Sequence, residues 1–190
     1  MSSGMIVPFW RADPLTPSEQ RLVDALMRAH HESCFRNNPS TVTVTNAAAG
    51  SGCLSKAIAA GILCIGSKHA PLSQTVEFLD QPYPATYMAI ILGRGEKVPG
   101  WGGTFQQDEV DPIWIELDNL LRTFRPELSM KLDSVTAEFR NLGKNLYPNP
   151  SAYTACVAIA IRLPAHLAAY LFIAGRLGAW TQIAADYLGL

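Results

Sequence analysis

An arginine inside an apolar run is costly unless something negative meets it. Arg176, in LAAYLFIAGRLGAW, therefore either binds an anionic ligand or pairs with an acidic residue such as Asp186 or Glu32, and the anion site is the reading adopted. His69 follows the stretch LSKAIAAGILCI and the stop at Gly66, which places its imidazole at a helix end. There it either caps the helix or works as a catalytic or substrate-binding group. His31, in the cluster His30-His31-Glu32, is a surface residue or a substrate ligand, and Lys144 is a solvated helix-end charge or a contact for a ligand. The glycine loop GRGEKVPGWGG has neither Walker spacing nor a preceding Rossmann strand, so taken alone it is a turn, with Trp101 covering apolar surface. No metal is expected, because the four histidines lack HExxH or any paired spacing. A serine nucleophile would need a GxSxG elbow, and none is present.

Helices must position these groups. Thr16-Pro17-Ser18-Glu19 has the chemistry of a capping box with proline in the first turn, and Leu22, Ala25, Leu26 and Ala29 continue it as one buried face. After Asn38-Pro39-Ser40, alternating Thr and Val suggest a strand, but the Ala-rich continuation favours helix. Helices are predicted next over 54–65, from Pro71 and over ATYMAIILG, followed by a loop from Gly93 to Phe105. Asp111-Pro112 opens another helix, with Trp114, Leu117, Leu121 and Phe124 on one stripe; Leu128, Leu132, Val135, Phe139 and Leu142 form a second. Asn149-Pro150 starts a helix that ends at Leu163-Pro164, and a last one runs toward Tyr187.

Composition limits the partners. The 190 residues fit a single domain, with a small helical lobe at about 71–145, and a chain of this size buries about 70% of its unfolded surface. A net charge of −1 argues against nucleic acid, which is held through many uncompensated basic side chains. Cys34, Cys53, Cys64 and Cys156 lack CxxC spacing, which points to a reducing compartment and no structural zinc. The amino terminus MSSGMIVPFWRADP has no signal-peptide pattern, and Arg162, Pro164, His166 and Arg176 interrupt the apolar tail before a membrane span accumulates. A cytoplasmic protein without membrane contact is expected.

Three segments, in order, resemble the citrate synthase and citryl-CoA lyase family. SGCLSKAIAAGILCIGSKHAPLSQTVEFL resembles the family's Ala/Gly-rich helix and its histidine turn, with His69 matching the first catalytic histidine. KVPGWGGTFQQDEVDP resembles the loop that cradles coenzyme A, matching at Pro99, Gly100, Trp101 and Gly102. GKNLYPNPSAYTACVAIAIRLPAHLAAYLFIAGRLGAW resembles the closing segment, where Arg176 matches a substrate arginine and Lys144 lies in the coenzyme A region. His31 matches the histidine of an earlier Asp-His motif.

The resemblance implies an all-α, citrate synthase-like fold, amino-terminally shortened, and chemistry that makes or breaks a carbon–carbon bond beside a thioester. Its implied ligands are acyl-CoA and a small carboxylate. Ala- and Gly-rich helices whose apolar faces exceed what one small chain can cover point to assembly, as a homodimer or higher oligomer or a heteromer with a complete paralogue, with helices 54–65 and 152–162 as the interface candidates. Departures from the family pattern alter that expectation. Gly103 stands for the loop histidine, Ser151 for the aspartate base and Ile113 for an arginine, and none of the three supplies the missing chemistry. The implied function is thus an acyl-CoA lyase or condensing enzyme with an altered site, or a non-catalytic coenzyme A-binding or structural subunit.

Overall fold

The computed structural model describes residues 13–36, 38–66, 69–102 and 111–190. Helix α1 (Pro17–Ser33) begins as its sequence dictates: Thr16 Oγ1 accepts from Glu19 N at 3.3 Å, and the Glu19 carboxylate accepts from Thr16 N at 2.8 Å. Helix α2 (Pro39–Ser51) is capped by Asn38, whose Oδ1 accepts from Thr41 N at 3.0 Å. That cap, with Pro39 in the first turn, overrides the strand-like Thr-Val alternation. Gly52, at φ +60°, ends α2 and leads into α3 (Leu54–Leu63).

Helices α4 (Leu72–Asp80) and α5 (Pro84–Gly93) follow, and then a 3₁₀ turn at Pro112–Trp114 leads into α6 (Ile115–Phe124). Helix α7 (Pro126–Asn141) precedes α8 (Pro150–Ala160); a second 3₁₀ turn at Ala165–Leu167 opens α9 (Ala168–Leu188). Among the described residues there is no strand, only an isolated bridge between Trp101 and Pro148. No helix among them is long and apolar enough to cross a membrane. The fold is all-α.

Helix α8 is the centre. Nine of its eleven residues are buried, and α1, α4 and α9 pack around it. It therefore offers no outer face of its own, which corrects the expectation that 152–162 forms an interface between chains. The amphipathic stripes of α6 and α7 behave as their periodicity requires: Trp114, Leu117, Leu121, Leu128, Leu132, Val135 and Phe139 are buried. Leu142, just past the end of α7, is exposed instead.

One core runs from Leu22 to Phe172 and includes side chains of α4 to α7. A smaller cluster gathers Cys34, Val44, Ala48, Ala57, Ala179, Trp180 and Ala184 between α2, α3 and α9. Small residues permit that approach. A Cβ at Gly61 would meet Val44 Cγ2 at 2.6 Å and the Trp180 ring at 3.2 Å.

Candidate functional site

The buried groups of interest meet where α1, α8 and α9 come together. Arg176 is 2% exposed, although it is a cation. Its Nε–H donates to His30 Nδ1 at 3.4 Å, and its Nη1 donates to Asn38 Oδ1 at 3.1 Å and Ser40 Oγ at 3.0 Å. Nη2 reaches Ser33 Oγ at 3.4 Å, and the guanidinium lies 4.1 Å from the centroid of the Phe172 ring. Every one of these partners is neutral. Burial accordingly pulls the Arg176 pKa down to about 10, with the nearby Cys34 and Cys64 thiols opposing the shift. Neither Asp186 nor Glu32 is among its bonded partners, and both side chains are exposed.

His69 stands within electrostatic reach of this arginine. Its ring lies edge-on to Phe172 with centroids 6.3 Å apart, and its buried Nε2 has no hydrogen-bond partner among the described residues. Burial first, and the Arg176 charge second, hold its pKa below the usual histidine value, so the ring is neutral at pH 7. The turn that carries it is tightly set: Gly66 N donates to the His69 carbonyl at 2.7 Å, and Leu72 N to the Ala70 carbonyl at 2.8 Å. Ala70 has φ +57°, a left-handed conformation that costs a residue with a Cβ about 1 kcal/mol. His69 does not cap α3, whose C-cap is Cys64.

His30 and His31 separate by one helical step. His31 is exposed and lies edge-on to Phe35 at 5.5 Å. His30 is fully buried, between the ring edges of Trp114 at 5.2 Å and Phe172 at 4.5 Å, and Nε2 lies 2.8 Å from Thr154 Oγ1. It is the member of the pair that faces Arg176. A sequence signal was present, since position 30 falls four residues after Leu26 and eight after Leu22, on the buried stripe of α1.

Room for His30 comes from Gly175. A Cβ there would lie 2.6 Å from His30 Cβ. Gly175→Ala is therefore expected to force α1 and α9 apart and to destabilise the protein by about 1–3 kcal/mol in urea unfolding. A loss below about 0.5 kcal/mol would mean that this packing is looser than the 2.6 Å approach requires.

The glycine loop joins the same helix from the other side. Asn149 N donates to the Gly100 carbonyl at 2.9 Å and Asn149 Nδ2 to the Gly102 carbonyl at 2.7 Å, so the loop is tied to the N-cap of α8. Gly100 (φ +86°) and Gly102 (φ +78°) are left-handed. A Cβ at Gly100 would also meet Thr75 Cγ2 at 2.8 Å and Ala152 Cβ at 3.1 Å. Trp101 is a core residue: it is 6% exposed, and its indole donates to Thr136 Oγ1 at 3.2 Å. Pro99 is half-buried and Lys144 exposed. Gly103 lies outside the described residues.

Ser151 is buried in the first turn of α8, and its N–H donates to Asn149 Oδ1 at 2.8 Å. Ile113 is half-buried in the 3₁₀ turn beside Trp114. Burial pushes the Cys34 thiol up to about 11 and the Cys156 thiol up to about 12, so neither is a ready nucleophile.

This fold and site define an all-helical protein with a buried arginine that has no counter-ion among the described residues, beside a neutral histidine. The chain belongs to the citrate synthase family: the family described as "Citrate synthase, C-terminal domain" matches residues 3–186. Among solved structures it is similar to a citryl-CoA lyase from Hydrogenobacter thermophilus, at TM-score 0.77 and 24% identity over 93% of this chain and 72% of that one. A citrate synthase from Thermotoga maritima superposes at TM-score 0.76 with 20% identity, over 92% of this chain and 50% of that chain. An ATP citrate lyase from Methanosaeta concilii, in complex with (3S)-citryl-CoA, gives TM-score 0.76 and 14% identity over 92% of this chain and 32% of its own. These likenesses establish a citrate synthase-like fold. No functionally curated protein matches the sequence.

Proposed function

We propose that this chain binds an acyl-CoA thioester and a small carboxylate, and acts as a carbon–carbon lyase or condensing enzyme of the citrate synthase type with an altered site. The observation that carries the reading is Arg176, a buried cation whose bonded partners among the described residues are all neutral, within electrostatic reach of a histidine whose Nε2 has no partner among those residues. A bound carboxylate would supply the missing counter-charge. In this reading Arg176 holds that carboxylate, and His69, as a neutral imidazole, polarises the thioester carbonyl. Pro99, Gly100 and Gly102 hold coenzyme A through the backbone, Lys144 meets it at the surface, and Trp101 braces the loop from the core. His31, exposed, remains a substrate ligand at the surface in this reading, and His30 is the histidine that faces Arg176. An ATP citrate lyase from Methanothrix soehngenii, of similar fold, was solved with citrate and coenzyme A, which fits this ligand pair.

A second reading, a coenzyme A-binding or structural subunit that works beside a complete paralogue, is favoured by one feature. Among the described residues no carboxylate is hydrogen-bonded to His69, whose buried Nε2 has no partner there, so a base is not evident among them. Ser151, at the aspartate's position, is no unassisted base. A thiol-release assay with citryl-CoA, and with acyl-CoA plus 2-oxo acids, separates the readings. Turnover by the lone chain supports the enzyme; turnover only when a full-length family member is added supports the subunit; no thiol release and no coenzyme A binding in either case refutes both.

Assembly into a dimer or higher oligomer belongs to the same proposal. Support comes from α3, where Leu63 is 84% exposed and Ile62 37%, with Val42 of α2 also exposed. Leu63→Arg should lower the mass measured by light scattering to that of one chain. An unchanged mass would remove this face from the interface. Four unpaired cysteines are compatible with a reducing, cytoplasmic setting.

A further inference from the structure

The hydrogen-bond directions around His30 fix a proton. Thr154 Oγ1 donates to the Pro150 carbonyl at 2.8 Å, which commits the hydroxyl hydrogen. At 2.8 Å from His30 Nε2, the same oxygen is then left to accept, so Nε2 carries the imidazole hydrogen. Nδ1 is consequently a lone pair, and it faces Arg176 Nε, a group that only donates. Both ends of the ring demand the same tautomer. The edges of Trp114 and Phe172 hold the ring plane, and Gly175 admits it against α9.

We propose that Thr154 and His30 are positioning residues, a hydroxyl-to-imidazole relay that locks the Nε2–H tautomer and so fixes the guanidinium of Arg176 for an incoming carboxylate. The consequence for ligand binding rests on the reading of Arg176 as an anion site. A guanidinium has two edges, and here Nε and Nη1 are spent on His30, Asn38 and Ser40, while among the described residues Nη2 has only the 3.4 Å contact to Ser33. Nη2 is thus the donor left for the ligand. Were the tautomer reversed, an N–H would face another N–H across 3.4 Å, and the guanidinium would have to turn away.

The chemistry assigns Thr154 a role that burial alone would not. Its side chain is at 0% exposure, and a valine would fill nearly the same volume. Valine offers no acceptor, however, so His30 Nε2–H would be buried without a partner, and the ring would flip or change tautomer to avoid that state.

The experiment uses the whole chain, labelled with ¹⁵N, and citrate as the probe. Long-range ¹H–¹⁵N correlation spectra should report His30 as the Nε2–H tautomer in the parent protein. In Thr154→Val that signature should be lost and citrate should bind roughly tenfold or more weakly, while Thr154→Ser, which restores the hydroxyl, should recover both. An Nδ1–H tautomer or an imidazolium in the parent protein overturns the proposal, as does a Thr154→Val protein with unaltered citrate affinity. If the parent protein takes up no citrate at all, the proposed anion site falls separately. The relay is then decided by solvent exchange at Arg176 Nε–H: faster exchange in Thr154→Val than in Thr154→Ser upholds it, and equal rates overturn it.

Discussion

Arg176→Ala is expected to abolish carboxylate binding while leaving the fold intact. Truncating one side of a buried, hydrogen-bonded charge pair costs about 2–5 kcal/mol of affinity, or at least ~30-fold in Kd. Calorimetric titration with citrate would measure it. The fold should survive because the turn around the arginine has its own bonds. Ser40 Oγ donates to Asn38 Oδ1 at 2.8 Å, Ser33 Oγ to the His30 carbonyl at 2.9 Å, and Asn38 Nδ2 to the Ser33 carbonyl at 3.0 Å. Removing the side chain opens a cavity, which destabilises, and also removes a desolvated charge, which offsets part of that loss. The net change in melting temperature should be a few degrees. A collapse of the melting transition, with no citrate binding by the parent protein, would instead make Arg176 a structural pin for the α1–α2 turn.

His69→Ala should produce the second large effect. Loss of one positioned donor to a developing oxyanion lowers turnover by about 10²–10³. The site of that loss is specific, because the Nε2 of His69 has no partner among the described residues to hold it for another purpose. Coenzyme A affinity should change little, since the loop 99–102 is tied to Asn149 rather than to His69. Thiol release, measured in whichever assembly is active, checks the prediction. Turnover within a few-fold of the parent protein would remove His69 from the chemistry.

Some positions were legible in the sequence because their physics is local. The starts of α1, α2 and α8 follow from Thr16, Asn38 and Asn149 each set before a proline, and the 3₁₀ turn at Pro112 follows from Asp111. In every case a side-chain oxygen meets an N–H only two or three residues away. Ambiguity arose where local signals conflicted, as in the Thr-Val run of α2, and the cap decided that conflict in favour of helix. Trp101 shows the opposite limit. The sequence assigns Trp101 apolar surface to cover without saying which, and the fold supplies it: between left-handed Gly100 and Gly102 the ring meets Phe78 and Phe139.

The sequence by itself determined the helices, their caps, the family resemblance and the presence of one cation in an apolar helix. Only the tertiary structure decided what surrounds that cation. Arg176 meets His30, Asn38, Ser33 and Ser40 across 136 to 146 residues of chain, and no periodicity relates positions so far apart. That His30 is buried and His31 exposed has the same origin, because a step of one residue turns a helical side chain about 100° around the axis, and packing against α8 and α9 decides which side is the interior. Local hydrogen bonding writes secondary structure into adjacent residues; the neutrality of what surrounds a buried cation is a property of the elements that close around it.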